Sequence, residues 1–268
     1  MHGYVHGYSE REAVRLVDQA TQLSELLHHD TRYPAGSDVL EVGCGVGAQT
    51  VQLARASPQA RITSIDASAE SLAQAERRAR EAGVGNVIFE RADLYELPYP
   101  RAHFDHLFVC FVLEHLARPL DALKALTSRL RPGGTLTVIE GDHGSAFFHP
   151  KSQEAQRVID CLVELQARAK GDALIGRRLH PLLRAAGLTE VSVSPRFVYA
   201  DATRPAWVKG FTLDTFTAMV EGARKPALAQ GLIDEAAFDE GIAALKRTAE
   251  PDGVFCYTFF KAVAVWHA

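Results

Sequence analysis

Between Asp38 and Ala48 the chain reads Asp-Val-Leu-Glu-Val-Gly-Cys-Gly-Val-Gly-Ala, and no other stretch narrows its possible folds as far. A short apolar run carries an acid, Glu41, and gives way to three spaced glycines, Gly43, Gly45 and Gly47. A helical pattern follows from Gln49 to Arg55. Glycine permits φ > 0 in a tight turn and lets a ligand approach bare backbone. Such a turn opens a helix whose first N–H groups point at the ligand, and it suits a phosphate or an amino-acid carboxylate. Gly43, Gly45 and Ala48 also satisfy the dinucleotide fingerprint, with Asp66 at about the distance of a ribose-binding acid. The turn alone therefore leaves its ligand open.

The order of the next elements narrows the choice. Arg61 to Ile65 reads as a buried strand ending in Asp66, and Asn86 to Glu90 as another, followed by Arg91-Ala92-Asp93-Leu94. Phe104 to Cys110 is a third. Gly134 to Glu140 is a fourth, entered through Arg131-Pro132-Gly133. Strands alternating with helical patterns predict a parallel sheet.

Taken together, Glu41-Val-Gly-Cys-Gly-Val-Gly47, Asp66, Ala92-Asp93-Leu94, Phe104-Asp105, Val112-Leu113-Glu114-His115 and Leu130-Arg-Pro-Gly-Gly134 resemble the class I S-adenosylmethionine-dependent methyltransferases. The small-molecule branch with the ubiquinone/menaquinone-type enzymes is the nearest likeness. It covers roughly residues 37 to 140. It implies a Rossmann-like, seven-stranded, mostly parallel sheet with an antiparallel last strand. It also implies S-adenosylmethionine as cofactor and methyl transfer to N, O or C of a small molecule. Gly43, Gly45 and Gly47 would cradle the methionine part, Asp66 the ribose and Asp93 the adenine, with Glu41, Ala67, Leu94 and Cys110 along the same site.

Composition agrees with a globular enzyme: 47% hydrophobic and 23% charged residues, with a net charge of −4 that gives no reason to expect a nucleic-acid partner. Arg77, Arg78 and Arg80 alternate with Glu76 and Glu81 on a helix, as on a solvated face. The four cysteines, Cys44, Cys110, Cys161 and Cys256, lack metal-ligand spacing and read as reduced thiols, so the expected address is cytoplasmic. No signal pattern or membrane-spanning run is apparent.

Ser9-Glu10-Arg11-Glu12 has the form of a capping box. Ala13, Leu16, Val17, Ala20, Leu23 and Leu27 then share one helical face, so residues 1–36 read as an N-terminal helical segment. Tyr4 and Tyr8 precede it, and in the resembled family such a lead-in folds over the cofactor, which makes Tyr8 a candidate contact. Residues 37–200 and 251–268 form the expected core. Ser152 to Ala169 and Ile175 to Gly187 read as helices, Glu190 to Ala200 and Gly253 to Trp266 as the last two strands. Between those strands residues 201–250 are helical in pattern and read as a lid. Trp207, Phe211, Phe216, Met219 and Val220 either line its pocket or pack a core.

Directly after the fourth strand comes Glu140-Gly-Asp142-His143-Gly-Ser. Ligands of open α/β sheets bind outside the carboxyl ends of the strands, so Glu140, Asp142 and His143 are the catalytic candidates. His143 reads as a satisfied structural histidine, as a general base or as a group that positions the acceptor; the base is needed only when the acceptor must lose a proton. A metal site from Asp142, His143 and His149 has no recognisable spacing, and none is expected. Two other functions use the same turn: cofactor binding with cyclase or lyase chemistry, and NAD(P)-dependent oxidoreduction. Glu41 and Asp93 favour methyl transfer over the latter. The absence of an Asn/Asp-Pro-Pro-aromatic motif at Cys110-Phe111-Val112-Leu113 argues against nucleic-acid amino-methylation. The acceptor and the oligomeric state are not legible.

Overall fold

The computed structural model describes residues 23–267. Its central strand, β1 (Asp38–Val42), is buried at every position after the first. That burial suits a strand covered on both faces. Around it the strands β2 (Arg61–Asp66), β3 (Val87–Arg91), β4 (Phe104–Cys110) and β5 (Leu130–Gly141) run parallel in the order β3-β2-β1-β4-β5. Parallel neighbours need crossovers. The helices α1 (Ala48–Ala56), α2 (Ala69–Glu81) and α3 (Pro119–Thr127) follow β1, β2 and β4 respectively. Their starts are written locally: the Ser68 hydroxyl accepts the Ser71 N–H, and Pro119 occupies the first turn of α3, where no N–H is missed.

The second half departs from simple alternation. After β5 come the short strand β6 (Phe147–His149), α4 (Gln153–Arg168), α5 (Leu179–Ala185) and β7 (Thr189–Asp201). The last strand, β8 (Val254–Val265), lies antiparallel between β5 and β7. The expected seven strands are thus present, with β6 as an eighth that sequence reading did not anticipate. It pairs with the first residues of β8 on the side where β5 has ended, Phe147 opposite Cys256, so it resumes the lane of β5. The interruption is made by side chains. Asp142 accepts the Gly144 N–H, and Ser145 Oγ takes the Thr258 N–H at 2.9 Å where a ladder carbonyl would otherwise stand.

Gly141 lies opposite Phe259, so residues 254–258 of β8 and the end of β7 project beyond the carboxyl ends of the parallel strands. The insertion between them is helical as expected. A short turn (Pro205–Trp207) runs into a π-helix (Val208–Thr217), then α6 (Ala218–Gly222), α7 (Arg224–Ala229) and α8 (Glu235–Arg247). Hydroxyls of Thr215 and Thr217 bond carbonyls five residues back, Gly210 and Thr212, each at 2.7 Å, matching the wide π turns. Phe211, Phe216 and Val220 are buried with Phe255, Tyr257 and Phe259 of β8. These insertion residues are core residues in this closed arrangement, and the insertion is continuous with the sheet's packing.

Of the N-terminal helical segment, residues 23–28 are helical, with Leu23 and Leu27 buried as their spacing predicts. Tyr4, Tyr8, Ala13, Leu16, Val17 and Ala20 lie outside the described residues. Lys261, 2% exposed on β8, fastens the following turn, bonding Asp30 at 2.5 Å and Thr31 Oγ at 2.6 Å. A buried ammonium demands such partners.

Candidate active site

The glycine turn leaves β1 with Gly43, Gly45 and Gly47 at φ of +69°, +51° and +76°. Side chains there would be strained, and a Cβ on Gly43 would stand 2.6 Å from a Val112 methyl. At Gly45 the same position opens onto empty space. The result is a cradle of bare backbone at the carboxyl edge of the sheet. Its partner is Asp66, at the end of the adjacent β2. One carboxylate oxygen accepts the Gly45 N–H at 2.9 Å and the other the Ser68 N–H at 2.9 Å. These bonds fix the carboxylate beside the turn and leave further lone pairs for a diol.

Glu41 lies beneath the turn rather than on its surface. It is 2% exposed, accepts the Ser64 hydroxyl at 2.6 Å, and burial, aided by the Asp66 charge, pushes its carboxyl up to about 7. Asp93 follows β3 on the surface and accepts the Tyr95 N–H at 2.9 Å, with Leu94 half-buried next to it and Ala67 exposed beyond Asp66. Cys110 ends β4 at 8% exposure, its thiol held protonated by burial and nearby carboxylates. Phe111, the next residue, adopts φ +57°, a rare conformation for an aromatic residue, and its ring packs on Phe259.

The three catalytic candidates are not one cluster. Asp142 turns away from His143 and takes a two-pronged ion pair from Arg177, at 2.5 and 2.7 Å. Glu140 is fully buried, and one of its oxygens accepts the N–H groups of Val112 at 3.0 Å and Leu113 at 2.7 Å. His143 faces other groups. Its Nδ1 lies 2.8 Å from the Tyr257 hydroxyl, and its Nε2 is 3.7 Å from Oε2 of Glu114. The reason is local: Asp142 is extended and caps a 3-10 turn over His143–Ser145, so the two neighbours sit on different backbone and their side chains meet different partners. The carboxylate beside His143 comes from the short turn after β4 instead.

Glu114 was therefore missed, although Glu114-His115 stands in the sequence directly after the β4 run. Its other oxygen is 3.7 Å from Nε2 of His115, and Gln166 of α4 donates to Oε2 at 3.0 Å. Burial and the adjacent Glu114 charge hold Glu140 well above the usual carboxylate range. Tyr257 carries no signal, being one aromatic residue in a run of them. Its hydroxyl occupies the space that a Cβ on residue 141 would need, so only glycine fits there. Phe211 and Phe216 of the π-helix cover it, with ring centroids 5.6 and 5.4 Å from its own.

A parallel sheet with an antiparallel last strand, a glycine cradle on its first turn and an acid on its second strand define the class I methyltransferase fold. The chain belongs to the S-adenosylmethionine-dependent methyltransferases. Residues 39–134 match the methyltransferase domain family. The 27-O-demethylrifamycin SV methyltransferase of Amycolatopsis mediterranei is 31% identical over 228 residues, 83% of this chain and 76% of that protein. The ubiquinone/menaquinone biosynthesis C-methyltransferase UbiE of Pseudomonas paraeruginosa is 32% identical over 123 residues, 45% of this chain and 48% of that protein. Among solved structures, the YcgJ protein of Bacillus subtilis shares the fold with a TM-score of 0.59 at 16% identity, over 95% of this chain and 99% of that one. The protein is a methyltransferase using S-adenosylmethionine on small molecules, and its open backbone cradle beside a fixed carboxylate fits that cofactor. Among the described residues no helix is long and apolar enough to cross a membrane.

Proposed function

We propose that the protein methylates a hydroxyl oxygen of a small, largely apolar molecule bound between the cofactor turn and the helical insertion. The observation that carries this reading is His143, buried at the carboxyl edge between a hydroxyl and a carboxylate. A hydroxyl acceptor must lose its proton, and an imidazole backed by Glu114 is suited to hold it. The relative that acts on 27-O-demethylrifamycin SV supports the choice of oxygen.

The backbone of Gly43, Gly45 and Gly47 binds the methionine part, Asp66 the ribose hydroxyls and Asp93 the adenine amino group, with Ala67, Leu94 and Cys110 lining the same groove. Glu41 acts from below, holding the turn through Ser64. When bound, the cofactor supplies an electrophilic methyl group and leaves as S-adenosylhomocysteine. The chain's own work is alignment of the acceptor for in-line displacement and exclusion of water. Phe111, Phe211, Phe216 and Phe259 present aromatic faces to an apolar acceptor, and the insertion opens to admit it.

The test is incubation with methyl-labelled cofactor and matched pairs of alcohols, phenols and amines on one apolar scaffold, with products located by mass spectrometry and NMR. O-methyl products are expected. Exclusive N- or C-methylation would overturn the choice of atom.

A further inference from the structure

We propose that the Tyr257 hydroxyl takes the acceptor's proton and that a proton leaves through His143, Glu114 and His115 in turn. This rests on the hydroxyl-acceptor reading and deepens it. Both nitrogens of His143 already face protein groups, Tyr257 at 2.8 Å and Glu114 at 3.7 Å, so the ring meets an acceptor through one of them. Tyr257 is the one under the aromatic cover of Phe211, Phe216 and Phe259, where an apolar acceptor would lodge once the insertion opens. In the proposed relay the Tyr257 hydroxyl donates to Nδ1 and the ring carries its hydrogen on Nε2, facing the Glu114 carboxylate. Hydroxyl, imidazole and carboxylate then stand in the order that activates a hydroxyl in acyl-transfer triads.

The other end of the path is more open. Exposure rises from 1% at Tyr257 and 5% at His143 to 7% at Glu114. The His115 side chain is 24% exposed, and its Nε2 lies 3.7 Å from Oε1 of Glu114. Movements well under one ångström close both imidazole–carboxylate gaps to hydrogen-bonding distance. Gln166 holds Glu114 from α4, and Gly141 leaves room for the Tyr257 oxygen. The other carboxyl groups facing Tyr257, those of Glu140 and Asp142, are tied to backbone N–H groups and to Arg177. Burial first, then Glu114 and Asp142, hold the phenol protonated, so Tyr257 works only as a relay that gains one proton as it gives up another.

The step balances. The acceptor's O–H bond breaks as its oxygen bonds to the methyl carbon, and the electron pair of the broken carbon–sulfur bond stays on sulfur. The released proton joins the Tyr257 oxygen while that hydroxyl's own proton moves to Nδ1. His143 passes its Nε2 proton to Oε2 of Glu114, the carboxyl rotates to present that same proton to His115, and His115 releases it to water; between turnovers the His143 ring gives up its Nδ1 proton and regains one on Nε2 by exchange with water. Tyr257 is the catalytic residue of this set; His143, Glu114 and His115 relay and position.

The experiment compares Tyr257→Phe, His143→Asn, Glu114→Gln and His115→Asn in the full chain. It reads the pH profile of kcat on an alcohol that the parent enzyme converts to its methyl ether, and the ¹⁵N-histidine NMR spectrum of the protein without donor. Tyr257→Phe is expected to lower kcat roughly a hundredfold with cofactor affinity unchanged. It should also shift the His143 ring away from the Nε2–H tautomer. His115→Asn should lower kcat less, and added imidazole should restore it. A Tyr257→Phe enzyme with normal kcat and tautomer beside an impaired His143→Asn enzyme would overturn the relay while sparing the hydroxyl reading. Normal pH profiles in all four variants would remove both.

Discussion

The two halves of the sheet carry their sites in different ways. On the β1–β3 side the site is a backbone object. Gly43 to Gly47 form one turn, Asp66 ends the next strand, and each is held by bonds to near neighbours such as Gly45 and Ser68. On the β5–β8 side the site is a meeting of side chains from four distant segments: Glu114, Glu140 with His143, Gln166, and Tyr257. In the proposed function the first arrangement serves the cofactor and the second the acceptor. If the halves are separable in function, changes in one should leave the other's readout alone.

The largest expected effect breaks the acceptor side outright. Phe216 is 1% exposed and packs on Phe255 with ring centroids 4.8 Å apart, so Phe216→Ala should cost about 3–5 kcal/mol of stability in denaturant unfolding. Deleting residues 201–250 would strip the same aromatic faces of β8, and no folded protein is expected. A deletion variant that unfolds cooperatively would show the insertion to be a detachable cover.

Next comes His143→Ala, expected to lower kcat about a hundredfold with little change in cofactor binding. A rise in KM alone, with the pH dependence intact, would assign His143 to positioning instead. On the other side, Asp66→Ala is expected to remove the proposed charge-assisted ribose contact of about 1.5–3 kcal/mol, a tenfold to hundredfold loss of cofactor affinity by calorimetry.

The smallest effect tests what lies under the turn. Glu41 holds its proton in the folded protein up to about 7 and in the unfolded chain only to 4.5. Between those values the folded state binds more protons, so this group's contribution to stability falls as pH rises. Glu41→Gln should remove that slope, at most about 1.4 kcal/mol per pH unit. The comparison is of variant against parent, because His28, lowered to about 4 by burial, works in the opposite direction in both. Parallel stability curves for the two proteins would show that Glu41 is ionised throughout.

This difference between the halves also explains what the sequence made legible. The order of β1 to β5, the cradle and Asp66 are local patterns, each contained in a few consecutive residues. The strand β6 was invisible because Ser145 supplies by side chain what a strand supplies by backbone. Asp142 was misjoined to His143 because the chain passes from extended backbone at Asp142 into a 3-10 turn at His143, which sends the two side chains to different partners. Glu114 and Tyr257 needed the folded sheet to come within reach of His143, 29 residues before it and 114 after it in the chain. Tyr8 falls outside the described residues, so its part as a cofactor contact belongs with the proposals.

The separability of the two halves is tested most directly by calorimetric titration of S-adenosylmethionine into Asp66→Ala and His143→Ala side by side. The account predicts affinity weakened at least tenfold in the first and within about twofold of the parent in the second. Equal losses in both, or a loss confined to His143→Ala, would contradict it.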